Sequence, residues 1–277
     1  MKRTLWAALL VLLAAAAAAG CSAIDDVRSA SDTVDQAVDL LDAIEQRGAW
    51  DAVADGLDAL NSQTAGYQAT IHIQAGPVDE AGEFAGALSE NVTIELQVDA
   101  QRAVLAGVTT DGARRTFYVE PPFGASNVYE NVGGDYVCAN DAAPLLRAGL
   151  DGIFETYGVA ATGVRLLSVA NEVDGDVSVA GRSATRYELE SKVPDAIAIL
   201  QKFGNPELQT RLDQAGDFKL SGGLYLDEET GALLAFASDY ADRANGERAL
   251  FSFEIAQWDD IPPISPPAAG IAQPCVP

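Results

Sequence analysis

The spacing of apolar residues changes near Gly66 and divides the chain into a helical part and a mainly stranded part. Over residues 22–60, apolar residues recur every three or four positions, which predicts helices. Gly48 interrupts this pattern, so we expect two helices rather than one. After Gly66, apolar and polar residues alternate strictly over residues 67–74 and 91–99. That period of two predicts antiparallel strands with one buried and one solvent-facing side.

The clearest alternation comes late, over residues 218–226. Gly222 and Gly223 lie inside it, and glycine within a strand favours a bend. The stretch Asp227–Gly231 has the composition of a turn, which predicts returning strands at 232–238 and 250–255. Further strands are predicted at 103–108, 116–119, 128–131, 135–138, 164–169, 177–180 and 184–189.

Helical spacing returns in three shorter segments, at 142–157, 194–203 and 206–215, each with a proline near its start. The order of helices, strands, helices and strands predicts an α+β fold, with helices collected on one face of an antiparallel sheet. A sheet with this many strands tends to curl. The proline-rich tail after Asp260 is predicted to be extended and unable to join a central strand.

The N-terminus has the features of a secretory signal. Lys2 and Arg3 precede an apolar run over residues 5–20, which is too short to span a bilayer comfortably. Cys21 directly follows Ala-Ala-Gly, and this junction resembles the lipobox of bacterial lipoproteins. The resemblance implies that residues 1–20 are a signal peptide and that Cys21 carries a lipid anchor. Ordinary signal cleavage without lipidation is the alternative.

Charge limits the possible partners. The chain has a formal net charge of −24, and loss of Lys2 and Arg3 with the signal would make it −26. A phosphate backbone or an anionic membrane surface would repel such a protein, so nucleic-acid binding is excluded. Attachment to a membrane would therefore depend on the lipid at Cys21.

The cysteine count is informative in an exported protein, because disulfides persist outside the cytoplasm. The chain has three cysteines, and lipidation of Cys21 leaves Cys138 and Cys275. We predict a bridge between these two residues, which would join the proline-rich tail to the body. Two free thiols are the alternative.

Three segments of the second half resemble the lipoprotein-carrier superfamily that includes LolA and the mycobacterial-type LppX and LprG lipoproteins. Residues 173–189 have the pattern V-x-G…Y-x-L, and 222–231 read Gly-Gly-Leu-Tyr-Leu-Asp-Glu-Glu-Thr-Gly. Residues 251–255, with Asp-Asp-Ile-Pro shortly after, resemble the end of such a domain. The resemblance implies a strongly curved, unclosed barrel with helices on its concave side. It also implies that residues 21–62 form a tether with N-terminal helices, 63–262 the curved-sheet domain and 263–277 a C-terminal tail.

The same resemblance implies a hollow interior that holds acyl chains. Its candidate lining residues are Ile71, Ile73, Ile94, Leu96, Val98, Phe218, Leu220, Leu224, Leu226, Phe251 and Phe253. The alternative is that these residues fill an ordinary α+β core. The helices at 142–157 and 194–215 are the candidate lid.

Catalytic, cofactor and metal patterns are absent from the sequence. His72 is the only histidine, lies on the polar side of its predicted strand, and has no Gly-x-Ser-x-Gly partner motif. One histidine and two dispersed cysteines do not make a zinc site, and there is no phosphate-binding glycine loop. A hydrolase is the weakest hypothesis.

The leading hypothesis is a monomeric, non-catalytic, membrane-anchored protein of the periplasm or cell surface that binds a lipid or acylated ligand. An envelope sensor or protein-interaction module on the same fold is the alternative.

Overall fold

The computed structural model describes residues 33–40, 42, 48–124, 127–158, 168–192, 195, 198–199, 218–242, 246–265, 271–273 and 275. Only the backbone is described for residues 174, 218–220, 242 and 271–273. The signal segment, Cys21 and most of the helices predicted at 194–215 lie outside the described residues. None of the described helices is long and apolar enough to cross a membrane.

Helices and strands follow the predicted order. Residues 33–40 and 42 are helical, α1 is Ala49–Ser62, α2 is Pro144–Ile153, and a π-helix at Phe154–Gly158 continues α2. The strands are β1 (Tyr67–Pro77), β2 (Glu90–Val98), β3 (Val104–Thr110), β4 (Ala113–Val119), β5 (Val128–Val132), β6 (Asp135–Cys138), β7 (Ser168–Val179), β8 (Arg182–Ser191), β9 (Phe218–Asp227), β10 (Leu233–Asp242), β11 (Glu247–Trp258) and β12 (Ile271–Gln273).

All twelve strands belong to one sheet, in the order β12-β6-β5-β4-β3-β2-β1-β11-β10-β9-β8-β7. Every neighbouring pair is antiparallel except β6 with β12, which is parallel. The sheet is not closed, because β7 and β12 form its two edges. The predicted fold class, an open antiparallel sheet with helices, is therefore confirmed.

Alternation along the strands separates the two faces of the sheet as predicted. In β1, Tyr67, Ala69, Ile71 and Ile73 are at most 3% exposed, whereas His72 points to solvent. We call the side that carries the buried residues the inner face and the opposite side the outer face. Both α1 and α2 bury their apolar residues in the same core cluster as the inner face. This burial is the main stabilising contribution to the fold.

Helix α1 lies across the inner face and is part of the core. Gly48, directly before the helix, forms a backbone bridge with Val169 of β7. A Cβ atom at Gly56 would lie 2.7 Å from Leu226 Cδ2 and 3.3 Å from Leu233 Cβ, so glycine lets the helix approach the sheet without displacing the Leu226 side chain. The division between residues 21–62 and 63–262 stays a prediction, but α1 packs together with the sheet.

Two predictions differ from the structure. Residues 168–169, the described part of one predicted strand, and the strand predicted at 177–180 belong to one strand, β7, whose register shifts between Val173 and Val177. Gly175 has a φ of 147°, so the intervening Asp-Gly-Asp forms a bulge within the strand instead of a turn between strands. The single helix predicted at 142–157 is interrupted at Gly149 and ends as a π-helix.

In β9, one of the two predicted glycines lies directly against the backbone of β10. A Cβ atom at Gly222 would overlap the carbonyl oxygen of Ala237 on β10, whereas the bend itself stays a prediction. At Gly223 the nearest contact would be 3.3 Å, to the Tyr225 ring. Gly222 is thus required by a close backbone approach, while Gly223 has more space.

The C-terminal tail returns to the sheet at an edge, as its prolines allow. Strand β12 pairs with β6, and a disulfide joins Cys138 to Cys275 with 4.9 Å between their Cα atoms. The predicted cysteine pairing is the one observed. Ile264 and Cys275 pack on the outer face against Tyr118 and Tyr129.

Candidate functional site

The inner face brings most of the predicted cavity residues into one continuous apolar surface. Eight of them are at most 3% exposed and belong to the same core cluster: Ile71, Ile73, Ile94, Leu96, Val98, Leu224, Phe251 and Phe253. Leu226 is half-buried and contacts the same cluster, near α1. The side chains of Phe218 and Leu220 lie outside the described residues. Whether any of these residues binds a ligand stays a prediction.

An aromatic cluster occupies the middle of this face. The ring of Phe154, at the start of the π-helix, lies 4.9 Å from the Phe251 ring, 5.4 Å from Phe253 and 5.5 Å from Phe236, measured between centroids. The rings meet edge-on or tilted, which are favourable arrangements for aromatic pairs. Phe154 is fully buried. The helical cover thus inserts its largest apolar side chain among the predicted lining residues.

The sequence pattern does not identify Phe154 or Phe236 as part of this surface. Phe236 lies in the strand predicted at 232–238, and strand alternation alone places it on one face or the other without fixing which face is buried. Phe154 lies in the predicted lid helix, where helical spacing marks an apolar side but not its partner. Pairing of Phe236 with Phe253 and Leu224 on neighbouring strands identifies the inner face.

The backbone that carries Phe154 is irregular on both sides of the ring. Gly149 has a φ of 73°, and a Cβ atom there would lie 2.7 Å from the Cα atom of Gly124. Past the ring, the Thr156 hydroxyl donates a hydrogen bond to the carbonyl oxygen of Gly152 at 2.8 Å. Interruptions and π-turns of this kind are frequent at hinges and functional sites.

An ion pair stabilises the turn at the end of β9. Both Nε and Nη2 of Arg182 donate to the carboxylate of Asp227, which also accepts hydrogen bonds from the backbone and hydroxyl of Thr230 at 2.8 Å. The Arg182 hydrogen bond lowers the pKa of Asp227 to about 2 and raises the pKa of Arg182. The guanidinium also lies 4.9 Å above the Trp258 ring. The 222–231 motif therefore has a structural role in this chain.

A second charged group lies where α1 ends. Arg102 donates hydrogen bonds to the carbonyl oxygen of Leu60 at 3.3 Å and to Asn61 Oδ1 at 3.4 Å. Its guanidinium is 5.5 Å from the centroid of the Tyr67 ring. Burial raises the pKa of Tyr67 to about 12, although Arg102 opposes this increase. This cluster forms one polar border of the inner face.

Three grooves border other parts of the described structure and have polar side chains in their walls. One of 280 Å³ lies on the outer face beside His72, Ser221 and Ser252. One of 440 Å³ lies at Arg182 and Glu229, where Asp227 is already paired. The third, of 470 Å³, has Glu95, Gln97, Arg114 and Thr116 in its wall, and Glu95 and Arg114 form an ion pair across it. No residue of the helical segment 144–158 lines any of the three.

Reactive groups are sparse in the part of the chain that the structure describes. His72 is exposed, and its Nδ1 lies 3.1 Å from the Thr93 hydroxyl, as expected for a solvent-facing strand residue. Among the described residues, no group of three or more His, Cys, Asp or Glu side chains is arranged to hold a metal ion.

Comparison with known proteins gives matches only among solved structures. No protein-family profile and no curated protein matches the chain. The LppX lipoprotein of Mycobacterium tuberculosis is 12% identical with a TM-score of 0.37, and the match covers 77% of this chain and 95% of that one. A LolA superfamily protein of Nitrosomonas europaea is 8% identical with a TM-score of 0.29, covering 78% and 95%.

The MucA/MucB complex of Pseudomonas aeruginosa also matches, at 16% identity and a TM-score of 0.34, covering 78% of this chain and 58% of that one. This chain therefore spans little more than half the length of that protein. LppX and LolA are the groups named above from sequence motifs. Because these TM-scores are below 0.5, the similarity assigns no ligand or partner to this chain.

Proposed function

We propose that this protein binds acyl chains non-covalently between the inner face of its sheet and the helical segment 144–158, without catalysis. The observation that carries the proposal is the Phe154 ring, which lies on an aromatic surface formed by Phe236, Phe251 and Phe253. Phenylalanine has no polar side-chain atom, so only apolar contacts hold the ring in place.

An acyl chain can replace these contacts with equivalent ones. Displacement of Phe154 would expose apolar area of the inner face, and a hydrocarbon chain would cover it again at about 25 cal/mol per Å². The irregular backbone at Gly149 and in the π-helix supplies the points at which the segment can move. Ligand binding thus requires rearrangement of one segment and leaves the twelve-stranded sheet intact.

The proposed location follows from the N-terminal sequence. A lipid on Cys21 would keep the protein at the outer surface of a bacterial membrane, where acyl chains are available. The negative charge of the chain gives it no electrostatic attraction to anionic lipids. The anchor and the acyl-binding surface then have separate roles, since one holds the protein at the bilayer and the other accepts a ligand.

A second candidate function is a protein-interaction or sensor module of the envelope. The observation that favours it is that the described inner face is packed with the protein's own side chains, including Phe154, Leu146 and Leu150. A protein of this kind needs no lipid, and its inner face would remain a hydrophobic core.

Native mass spectrometry of residues 22–277 purified from cells distinguishes the two functions. For an acyl-binding protein we expect a co-purifying lipid, or uptake of offered palmitate or dipalmitoyl phosphatidylglycerol. The variant Phe154→Ala removes the ring from the aromatic cluster and should increase uptake. Leu250→Ala is the matched control, because Leu250 lies on the outer face of β11 beside Phe251. Absence of bound lipid in the wild type and in both variants would reject acyl binding and favour the interaction module.

A further inference from the structure

Two buried hydrogen-bond donors lie at the polar border of the inner face, where α1 ends. Tyr67 is fully buried, and its hydroxyl has no hydrogen-bond partner among the described residues. The same holds, within the described part of the chain, for the buried Nη1 atom of Arg102, whose guanidinium lies 5.5 Å from the centroid of the Tyr67 ring. Even a contact between the two groups would leave the hydroxyl hydrogen without an acceptor, because arginine has only donors. Unpaired buried donors are costly in a folded protein and call for an explanation.

The chemistry of these two groups favours an anionic oxygen as their partner. One is a hydroxyl and the other is part of a guanidinium that always carries its positive charge. A carboxylate or phosphate presents several acceptor positions and forms strong, charge-assisted hydrogen bonds with arginine. The Nη2 atom of Arg102 already donates to the carbonyl oxygen of Leu60 and to Asn61 Oδ1. Nη1 is therefore the end of the guanidinium that can hold a ligand.

Helix α2 already places a carboxylate beside the two donors. Asn61 Nδ2 donates to Asp151 Oδ1 at 3.3 Å, so α2 meets the end of α1 here. Burial raises the pKa of Tyr67 most, and the charge of Asp151 raises it further, which places this carboxylate near the hydroxyl. Loss of hydration and the charges of Asp58 and Glu155 raise the pKa of Asp151 itself. Asp151 is thus a poorly stabilised occupant of this position.

Asp151 and Phe154 together have the chemistry of an acidic amphiphile. They are three residues apart, which is about one helical turn. Asp151 supplies a carboxylate at the border, and Phe154 supplies an apolar ring on the inner face. Displacement of segment 144–158 removes both, together with Glu155, and leaves the two buried donors without them. Asp58 stays behind on α1, but it is exposed, so solvent and salt weaken its repulsion of an anion.

We propose that the ligand is an acidic amphiphile whose carboxylate or phosphate group replaces Asp151 and accepts hydrogen bonds from Tyr67 Oη and Arg102 Nη1, while its acyl chain replaces Phe154 on the inner face. This inference rests on the proposed acyl-binding function and adds the chemical class of the headgroup. The negative charge of the whole chain does not prevent such binding, because charges more than about 8 Å away are largely screened at physiological ionic strength.

Titration of residues 22–277 with matched ligands, followed by tryptophan fluorescence, tests the proposal. The Trp258 ring stacks with Tyr67 at 6.5 Å between centroids and so reports on this border. Palmitate and methyl palmitate share one acyl chain but differ in charge, whereas hexadecyl phosphate and inorganic phosphate share one charged group but differ in the chain. We expect palmitate and hexadecyl phosphate to bind about tenfold more tightly than methyl palmitate, and inorganic phosphate not to bind.

Tyr67→Phe is the most specific variant, because it removes one oxygen atom that has no partner among the described residues. We expect no loss of stability in urea, but a loss of about tenfold in palmitate affinity and none in methyl palmitate affinity. Tyr187→Phe is the matched control, since Tyr187 is a half-buried tyrosine on β8 that packs against the same core cluster. Arg102→Gln should also lower palmitate affinity selectively, with the exposed Arg114→Gln as its control.

The possible outcomes separate this proposal from acyl binding itself. Equal affinity for palmitate and methyl palmitate, or an equal effect of Tyr67→Phe and Tyr187→Phe, would overturn the acidic headgroup and leave acyl binding in place. Inorganic phosphate that binds as tightly as hexadecyl phosphate would indicate a site for a free anion and overturn the amphiphile. Failure of every acylated probe to bind would reject the acyl-binding function and this proposal with it.

Discussion

Two aromatic clusters on opposite faces of one sheet are held in different ways. On the inner face, Phe154 packs on three phenylalanine rings and is carried by an irregular helical segment. On the outer face, the rings of Tyr118 and Tyr129 stack with centroids 6.4 Å apart beneath Ile264 and Cys275. Tyr129 donates a hydrogen bond to Glu120 Oε1 at 3.2 Å, and the Cys138–Cys275 disulfide lies beside it.

The difference shows which contacts a ligand can replace. Apolar contacts have little directional requirement, so the cover of the inner cluster can be exchanged for another hydrocarbon surface. Hydrogen bonds and a disulfide require specific partners, so the outer cluster has one arrangement until the covalent bond is opened. The inner face is therefore the better candidate for a ligand site, and the outer face for a fixed structural contact.

Removing the Cys138–Cys275 disulfide should have the largest effect on stability. The paired substitution Cys138→Ser and Cys275→Ser removes a link across 137 residues of sequence separation. In the chain-entropy model this should lower the free energy of unfolding by about 4–5 kcal/mol. Urea denaturation followed by tryptophan fluorescence measures the loss, and the reduced wild type is the control. A loss below about 1 kcal/mol would contradict the view that the disulfide between the C-terminal tail and β6 stabilises the fold.

Removing the inner ring should have the next largest effect. Phe154→Ala leaves a cavity against Phe236, Phe251 and Phe253, and we expect a loss of about 3–4 kcal/mol in the same denaturation experiment. Phe154→Leu keeps most of the apolar volume and serves as the control, with an expected loss of about 1 kcal/mol. If the alanine variant were as stable as the leucine variant, the ring would not be packed as the structure shows, and the contrast between the two clusters would fail.

Acid should have a smaller effect, at the Arg182–Asp227 ion pair at the end of β9. The pKa of Asp227 is lowered from 3.8 to about 2, so its contribution to stability is complete above pH 3.8 and is lost as the pH falls toward 2. We expect the difference in unfolding free energy between the wild type and Asp227→Asn to shrink by about 2 kcal/mol over this range. Urea denaturation at pH 5 and pH 2 measures it. A difference that stays constant would mean that Asp227 is not paired with Arg182 in solution.

Much of the sheet was predictable because strand alternation is a local property. The pattern of β1 and β2 placed Ile71, Ile94 and Leu96 on the buried side, and the structure buries all three. The pairing of Cys138 with Cys275 was also predictable, since counting leaves one possible pair once Cys21 is assigned to the lipid anchor.

Other features depended on contacts between distant segments. The sequence at the bulge in β7 predicts a turn, because Asp-Gly-Asp favours a turn when no neighbouring strand is considered. The role of Asp99 was not visible either, since an aspartate before a short turn gives no indication that a tail residue 165 positions away donates to it. The packing of α1 on the inner face, with Gly56 close to Leu226, is also a contact between distant segments.

The sequence by itself determined the alternation that marks most of the strands, and the cysteine pair that is left once Cys21 is assigned to the anchor, because periodicity and counting are properties of the chain alone. Only the tertiary structure decided that Phe154 fills the middle of the inner face and that the amide of Ile264 donates to Asp99. These arrangements depend on which surfaces meet after folding. The free energy of such a contact belongs to both partners, and neither partner's local sequence contains it.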